Sequence, residues 1–261
     1  MAHRAKKSLG QHFLKSESAI RAIVDAGKIA PMADIVLEIG PGEGVLTDAL
    51  LKTGVKVIAV EKDNDLIPVL TERFEAELAS GQLQLLHMDV LDFKPESWKL
   101  TAGNYKLIAN IPYYITGAIM EQFLENDVPP SLMVLLVQKE VAERAVARDG
   151  KESILSIAVK AFGVPRIAAK VPAGAFRPAP KVDSAVLVVD NVSRRHFEHG
   201  GGLPKERIKH FFTVVHAGFA HKRKLLARNL EAAASKEKIK NAFDLFEISE
   251  KARAEDILAE T

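Results

Sequence analysis

The 261-residue chain is 48% hydrophobic and nearly balanced in charge, +2 from 36 basic and 34 acidic residues. A chain of this size and apolar content holds one large α/β domain with an appendage, or two modest domains, and is not globally disordered. The absence of cysteine excludes disulfides, zinc fingers and thiol catalysis, and no apolar run approaches the roughly 20 residues of a membrane span.

The first stretch, Met1 to Ser16, carries Arg4, Lys6, Lys7 and Lys15 and no acid. It lacks the apolar segment of a secretory signal, so a cytoplasmic protein is expected. Ser18 to Ala26 places Ile20, Ile23 and Val24 on one side and predicts an amphipathic helix, which Pro31 ends. Ile35-Val36-Leu37-Glu38-Ile39 then reads as a buried strand running into Gly40-Pro41-Gly42-Glu43-Gly44, with a helix from Val45 to about Thr53. Strands are expected over Val55 to Glu61, Leu83 to Met88, Lys106 to Ala109, Leu132 to Val137, Arg166 to Val171 and Ser184 to Val189. Helices are expected over Leu66 to Ser80, Ile115 to Glu125, Lys139 to Arg148 and Ser153 to Phe162. This alternation implies βαβ units, hence an α/β fold with a mostly parallel sheet covered by helices on both faces. The last two strands are joined by a Pro-rich connection too short for a helix, so they should pair antiparallel at one edge. Asn191 to Pro204, with Arg194-Arg195 and Gly200-Gly201-Gly202, reads as a linker, and beyond it the pattern is helical. The expected domains are therefore residues 1–192 and a small all-α domain over 203–261.

Gly40, Gly42 and Gly44 lie between a strand and a helix, where backbone can approach a ligand closely and amides point outward. Glu61, about 20 residues on, closes the second strand, where an acid accepts from ribose hydroxyls. The Gly-x-Gly-x-Gly spacing departs from the dinucleotide fingerprint, and Glu38 just upstream suits a cationic ligand end better than a phosphate. S-adenosylmethionine, with a ribose, an ammonium, a sulfonium and no phosphate, fits this loop better than NAD; a purely structural turn is the alternative. Asp89, at the end of the third strand, could accept from an adenine amino group or merely cap a turn.

Asn110-Ile111-Pro112-Tyr113 ends the fourth strand on the same sheet edge. Taken alone it could be a turn. Beside a methyl donor it has a chemical reading. The amino group of adenine is a weak nucleophile because its lone pair delocalises into the ring. If Asn110 Oδ1 and the Ile111 carbonyl accept its two hydrogens, the nitrogen moves toward tetrahedral geometry and its lone pair localises. No strong base is required, and catalysis rests on positioning and electrostatics. Pro112 stiffens the backbone and Tyr113 stacks on the base, while Phe176, in Phe176-Arg177-Pro178-Ala179-Pro180, either faces the base from the other side or is core. A base reached in this way must be unstacked, which is least costly in a single-stranded loop. From Lys205 to Arg228 seven bases face one acid, and with the basic N-terminus this fits a polyanion as partner, or else solvated helix faces.

Nearly the whole chain resembles the small-subunit ribosomal RNA adenine dimethyltransferases, the kasugamycin-resistance methylase family. The matching pieces are Lys7-Ser8-Leu9-Gly10-Gln11-His12-Phe13-Leu14, Glu38-Ile39-Gly40-Pro41-Gly42, Asn110-Ile111-Pro112-Tyr113, Gln138-Lys139-Glu140-Val141-Ala142 and Phe176-x-Pro178-x-Pro180-Lys181-Val182-x-Ser184. The resemblance implies a Rossmann-like class I methyltransferase sheet of seven strands, the last antiparallel. It implies transfer of two methyls from S-adenosylmethionine to N6 of each of two adjacent adenines in a hairpin loop near the 3′ end of small-subunit rRNA, leaving S-adenosylhomocysteine and using no metal. Donor contacts would be His12, Leu14, Gly40, Gly42, Glu61, Asp89 and Asn110. RNA contacts would include Lys6, Lys7 and, on a basic helix from Phe219 to Leu230, Lys222, Arg223, Lys224 and Arg228. The partner implied is an immature ribosomal subunit met by a monomer away from any membrane. His12 stands where many members carry Asn, Lys222 where Arg is usual, and Glu152 where Tyr is common. Competing readings are a large-subunit adenine methylase of the macrolide-resistance type, a non-catalytic RNA-binding assembly factor, and an NAD-dependent oxidoreductase, the last disfavoured by the glycine spacing.

Overall fold

Runs such as Leu132 to Val137 show no polar alternation and need cover on both faces. The computed structural model, which describes residues 6, 9–198 and 203–257, supplies it. In chain order the strands are β1 (Phe13–Leu14), β2 (Ile35–Ile39), β3 (Lys56–Glu61), β4 (Leu83–His87), β5 (Tyr105–Asn110), β6 (Leu132–Gln138), β7 (Val164–Val171), β8 (Phe176–Arg177) and β9 (Ser184–Asp190). The helices are α1 (Glu17–Ala26), α2 (Val45–Leu51), α3 (Leu66–Arg73), α4 (Glu75–Ser80), α5 (Thr116–Leu124), α6 (Lys139–Ala145), α7 (Ile154–Phe162), α8 (Pro204–Phe219), α9 (Leu226–Leu230) and α10 (Lys236–Leu245).

Two units partition the described residues, one within Met1–Ala142 and Pro165–Ser193, the other within Glu143–Val164 and Arg194–Thr261. In the first, seven strands run in the order β4-β3-β2-β5-β6-β9-β7. The strands β4, β3, β2, β5 and β6 pair in parallel, and β9 lies antiparallel against β6. Val36, Val57, Ala59, Ile108, Val134, Leu136, Val186 and Val188 form one core face with side chains of α1, α2 and α3. Alternate residues Leu37, Leu107, Leu135 and Leu187 are equally buried on the opposite face. Outside this sheet, β1 pairs antiparallel with β8 and ties the N-terminal segment to the Pro-rich connection.

The expected helix over Leu66 to Ser80 is two helices, broken at Phe74 (φ −117°, ψ 33°). The break places the Phe74 ring against Gly44, where a Cβ would meet ring carbon Cε2 at 2.6 Å.

In the second unit, Phe162 and Phe212 stack at 6.4 Å and Phe197 packs between Phe162 and Phe211. Leu226, Ile239, Phe243 and Ala254 make a smaller core. Buried Glu152 is neutralised by Lys160 at 2.5 Å. The basic helix expected from Phe219 to Leu230 does not form as one element. The chain leaves α8 at Phe219, turns through His221 to Lys224 and re-enters a helix at Leu226. Asn229 Nδ2 donates to the carbonyls of Gly218 (2.6 Å) and His221 (3.1 Å), satisfying groups that a continuing helix would have paired. Lys222, Arg223 and Lys224 therefore sit in the turn.

Candidate active site

Parallel pairing brings the carboxyl ends of β2, β3, β4 and β5 to one sheet edge, and the strand order reverses between β2 and β5. An open α/β sheet leaves a crevice at such a switch point. Here it is a cleft of about 190 Å³ lined by the glycine loop, Glu38, Glu61, Asp89, Asn110 to Ile115 and the segment from Leu9 to Leu14.

The glycines divide their work. Gly42 (φ +60°) turns its amide to Glu61 Oε2, to which it donates at 3.2 Å. Gly44 (φ +80°) is required by the Phe74 ring, a packing reason and not a ligand one.

Glu61 Oε1 accepts from the Asp63 amide at 2.7 Å, and burial pushes its carboxyl up against these donated bonds. Asp89 Oδ2 pairs with Lys62 Nζ at 2.6 Å, which holds the acid below its usual range, and its Oδ1 caps the following turn by accepting from the Leu91 amide at 3.0 Å.

Glu38 is different. It is 1% exposed, neither carboxylate oxygen has a hydrogen-bond partner, and Thr47 Oγ1 approaches without meeting hydrogen-bond geometry. Burial pushes its carboxyl up to about 8. A buried polar group without a partner costs stability, so this one marks a place where a ligand can supply what the protein does not.

At the end of β5, Asn110 Nδ2 donates to the His12 carbonyl at 3.3 Å. A carbonyl can only accept, which fixes the amide orientation and leaves Oδ1 as the acceptor facing away from that bond. The Tyr113 hydroxyl shares a hydrogen bond with buried Ser184 Oγ at 2.7 Å, and its ring lies nearly parallel to His12, centroids 6.0 Å apart. His12 Nδ1 in turn donates to the Pro178 carbonyl at 2.8 Å. Two rings and one amide are thus cross-tied from three chain segments.

The N-terminal segment is fastened across this edge. Gln11 Nε2 donates to Asp63 Oδ2 at 2.7 Å, and Lys6 Nζ bridges Asp63 (2.5 Å) and Asp65 (2.6 Å). Burial alone would push the Asp63 carboxyl up, but the bonds from Lys6 and Gln11 outweigh it and hold it below its usual range.

Of the residues singled out from the sequence, His12, Leu14, Gly40, Gly42, Glu61, Asp89, Asn110, Ile111, Pro112 and Tyr113 all line this cleft. Phe176 does not. It is 2% exposed, packed in the core and paired with Leu14 across β1 and β8, so in this conformation it has no face to offer a base. Lys6 has its charge engaged by two carboxylates. Lys7 lies outside the described residues. Lys222, Arg223 and Lys224 are exposed with no carboxylate partner among the described residues, and Arg228 approaches Glu231 at 3.4 Å. Sequence reasoning passed over Gln11, Asp63 and Ser184 as positioning residues, and Met88, Val90 and Leu91 as lining. Ser184 was inside a matched motif, and the signal for Asp63 was an acid two residues past Glu61. Among the described residues no group of three His, Asp or Glu side chains could hold a metal, and no helix is long and apolar enough to cross a membrane.

A sequence model of the family Ribosomal RNA adenine dimethylase matches residues 2–261. Ribosomal RNA small subunit methyltransferase A of Dehalococcoides mccartyi is 41% identical over 233 residues, covering 87% of this chain and 75% of that protein. A dimethyladenosine transferase from Plasmodium falciparum superposes with a TM-score of 0.77 at 26% identity, covering 94% of this chain and 93% of that one. The 23S rRNA methyltransferase ErmE superposes with a TM-score of 0.73 at 23% identity over 94% of each chain, a likeness of fold.

Proposed function

The chain belongs to the ribosomal RNA adenine dimethylase family and is an rRNA adenine dimethyltransferase, and from that premise we propose that Asn110 to Tyr113 form the clamp that presents adenine N6 for methylation. Small-subunit rRNA is the substrate, in keeping with the relatives at 41% identity, whereas the large-subunit enzyme shares the fold. Two adjacent adenines in a hairpin loop, within an immature subunit, are the acceptors we assign.

Family and fold imply S-adenosylmethionine, and the residues present fit it. Glu38 offers a buried carboxylate without a partner, suited to the donor's ammonium. Glu61 and Asp89 remain acceptors for its ribose and adenine, and the apolar side chains of Met88, Val90 and Leu91 flank the latter. Bound S-adenosylmethionine supplies an electrophilic methyl on a sulfonium.

The protein's part is to make adenine N6 a nucleophile. Asn110 Oδ1, oriented by the bond from Nδ2 to His12, accepts one N6 hydrogen, and the Ile111 carbonyl accepts the other. Pro112 fixes the angle between carbonyl and ring, and Tyr113, pinned by Ser184, stacks on the base. These groups are positioned before the substrate arrives, so little reorganisation is needed at the moment of reaction. The observation that carries this reading is the orientation of the Asn110 amide by a partner that can only accept.

The test is to incubate the protein with labelled donor and undermethylated small subunits and to map the modified nucleotides. Label on adjacent adenines of small-subunit rRNA is the expected result; label confined to large-subunit RNA, or none, overturns the reading.

A further inference from the structure

Tyr114 takes no part in the clamp. Its ring is 63% exposed at the mouth of the cleft, the one mostly exposed aromatic in the lining. Its hydroxyl makes no hydrogen bond among the described residues. A single exposed aromatic is ordinary on a protein surface, so what sets Tyr114 apart is its place in the lining of the cleft. The ring is also supported. Gly10 (φ +59°) lies against it so closely that a Cβ there would stand 3.2 Å and 3.3 Å from Cδ1 and Cε1. Gly10 belongs to the segment fastened to Asp63 through Gln11, so the backing is itself held in place. Gly10 thus backs part of the ring, while the residue as a whole stays mostly exposed.

We propose that Tyr114 is the platform on which the nucleotide adjoining the acceptor adenine stacks. Tyr113 holds the base under attack and Tyr114 its neighbour, so consecutive tyrosines receive consecutive unpaired bases. The inference rests on the proposed function, since it needs a single-stranded RNA at this cleft. Stacking on an aromatic is tolerant of base identity, so Tyr114 governs RNA affinity and leaves the choice of acceptor to the clamp.

Tyr114→Ala, Tyr114→Leu and Tyr114→Phe, assayed on undermethylated small subunits, test it. Loss of one base stack corresponds to about a tenfold rise in KM for RNA. Ala and Leu are expected to show that rise, with kcat and donor affinity within about twofold of wild type and Phe close to wild type in all three. A KM within twofold for Tyr114→Ala, or equal impairment of Tyr114→Phe, overturns the proposal. A wild type that binds the subunit but transfers no methyl overturns the proposed function instead, and equilibrium RNA affinities of the same variants then decide the stacking role.

Discussion

Replacing Glu38 by Gln should stabilise the donor-free protein and weaken its hold on the donor, two effects of opposite sign from one buried carboxylate. The acid titrates near 4.5 when unfolded and is pushed up to about 8 by burial. Between those values the unfolded chain has lost a proton that the folded one keeps, so stability falls as pH rises from about 4.5 through about 8. At roughly 1.4 kcal/mol per pKa unit, the span from 4.5 to pH 7 costs about 3 kcal/mol, with no discount for solvent because the group is 1% exposed. Gln keeps the shape and cannot ionise. It should therefore gain about 3 kcal/mol at pH 7, a rise in Tm of roughly 6–12 °C, and under about 1 kcal/mol at pH 5. Thermal melts at the two pH values read this directly. Donor binding reverses the sign, because a cation at Glu38 restores the ionised form. The wild type should then release a proton on binding near pH 7, visible by titration calorimetry in buffers of different ionisation enthalpy, and the variant should bind the donor at least about tenfold more weakly. Equal stabilisation at pH 5 and pH 7, or donor affinity unchanged by the substitution, would refute this reasoning.

Ser184→Ala removes the partner of the Tyr113 hydroxyl, a loss of about 1 kcal/mol that should lower kcat/KM for RNA roughly fivefold with donor affinity unchanged. In a double-mutant cycle, Tyr113→Phe should add little to it; full additivity would show that the bond does not matter. Gly44→Ala forces a Cβ to within 2.6 Å of Phe74 at φ +80° and should cost about 2–3 kcal/mol in urea unfolding; a loss under about 0.5 kcal/mol would contradict the packing reason given for this glycine. Replacing Lys222, Arg223 and Lys224 by Ala should weaken RNA binding and flatten its salt dependence by about three phosphate contacts; an unchanged salt slope would make the turn an ordinary solvated surface.

What was legible in the chain was whatever carried a period or a motif. The strand over Ile35–Ile39 was expected with the bounds it has, because an apolar run stopped by glycines has few alternatives. The convergence of Gly40, Glu61, Asp89 and Asn110 followed from parallel pairing alone. The expected antiparallel edge pairing of the last two strands did not say which of them lies inside; the structure places β9 between β6 and β7, where the unbroken apolar run Ala185 to Val189 is fully buried. Three further features were not legible, each for a physical reason. Two-residue strands such as Phe13–Leu14 have no period to detect, and their pairing is what buries Phe176. The turn at Lys222 to Lys224 is set by Asn229, several residues downstream, whose side chain takes the helix-end carbonyls. Glu38 lies inside an otherwise apolar strand, and only the structure reveals that nothing in the protein satisfies it.

Asn110→Ala is the most direct test of the clamp. The variant should bind the donor, since Glu38, Glu61 and Asp89 are untouched, and should bind undermethylated small subunits with near-normal affinity. Single-turnover methyl transfer should fall by at least about a hundredfold, the loss expected when one preorganised acceptor is removed from a reacting centre. Transfer at a rate within about tenfold of wild type, with donor and RNA both bound, would contradict the assignment of Asn110 as the group that holds adenine N6.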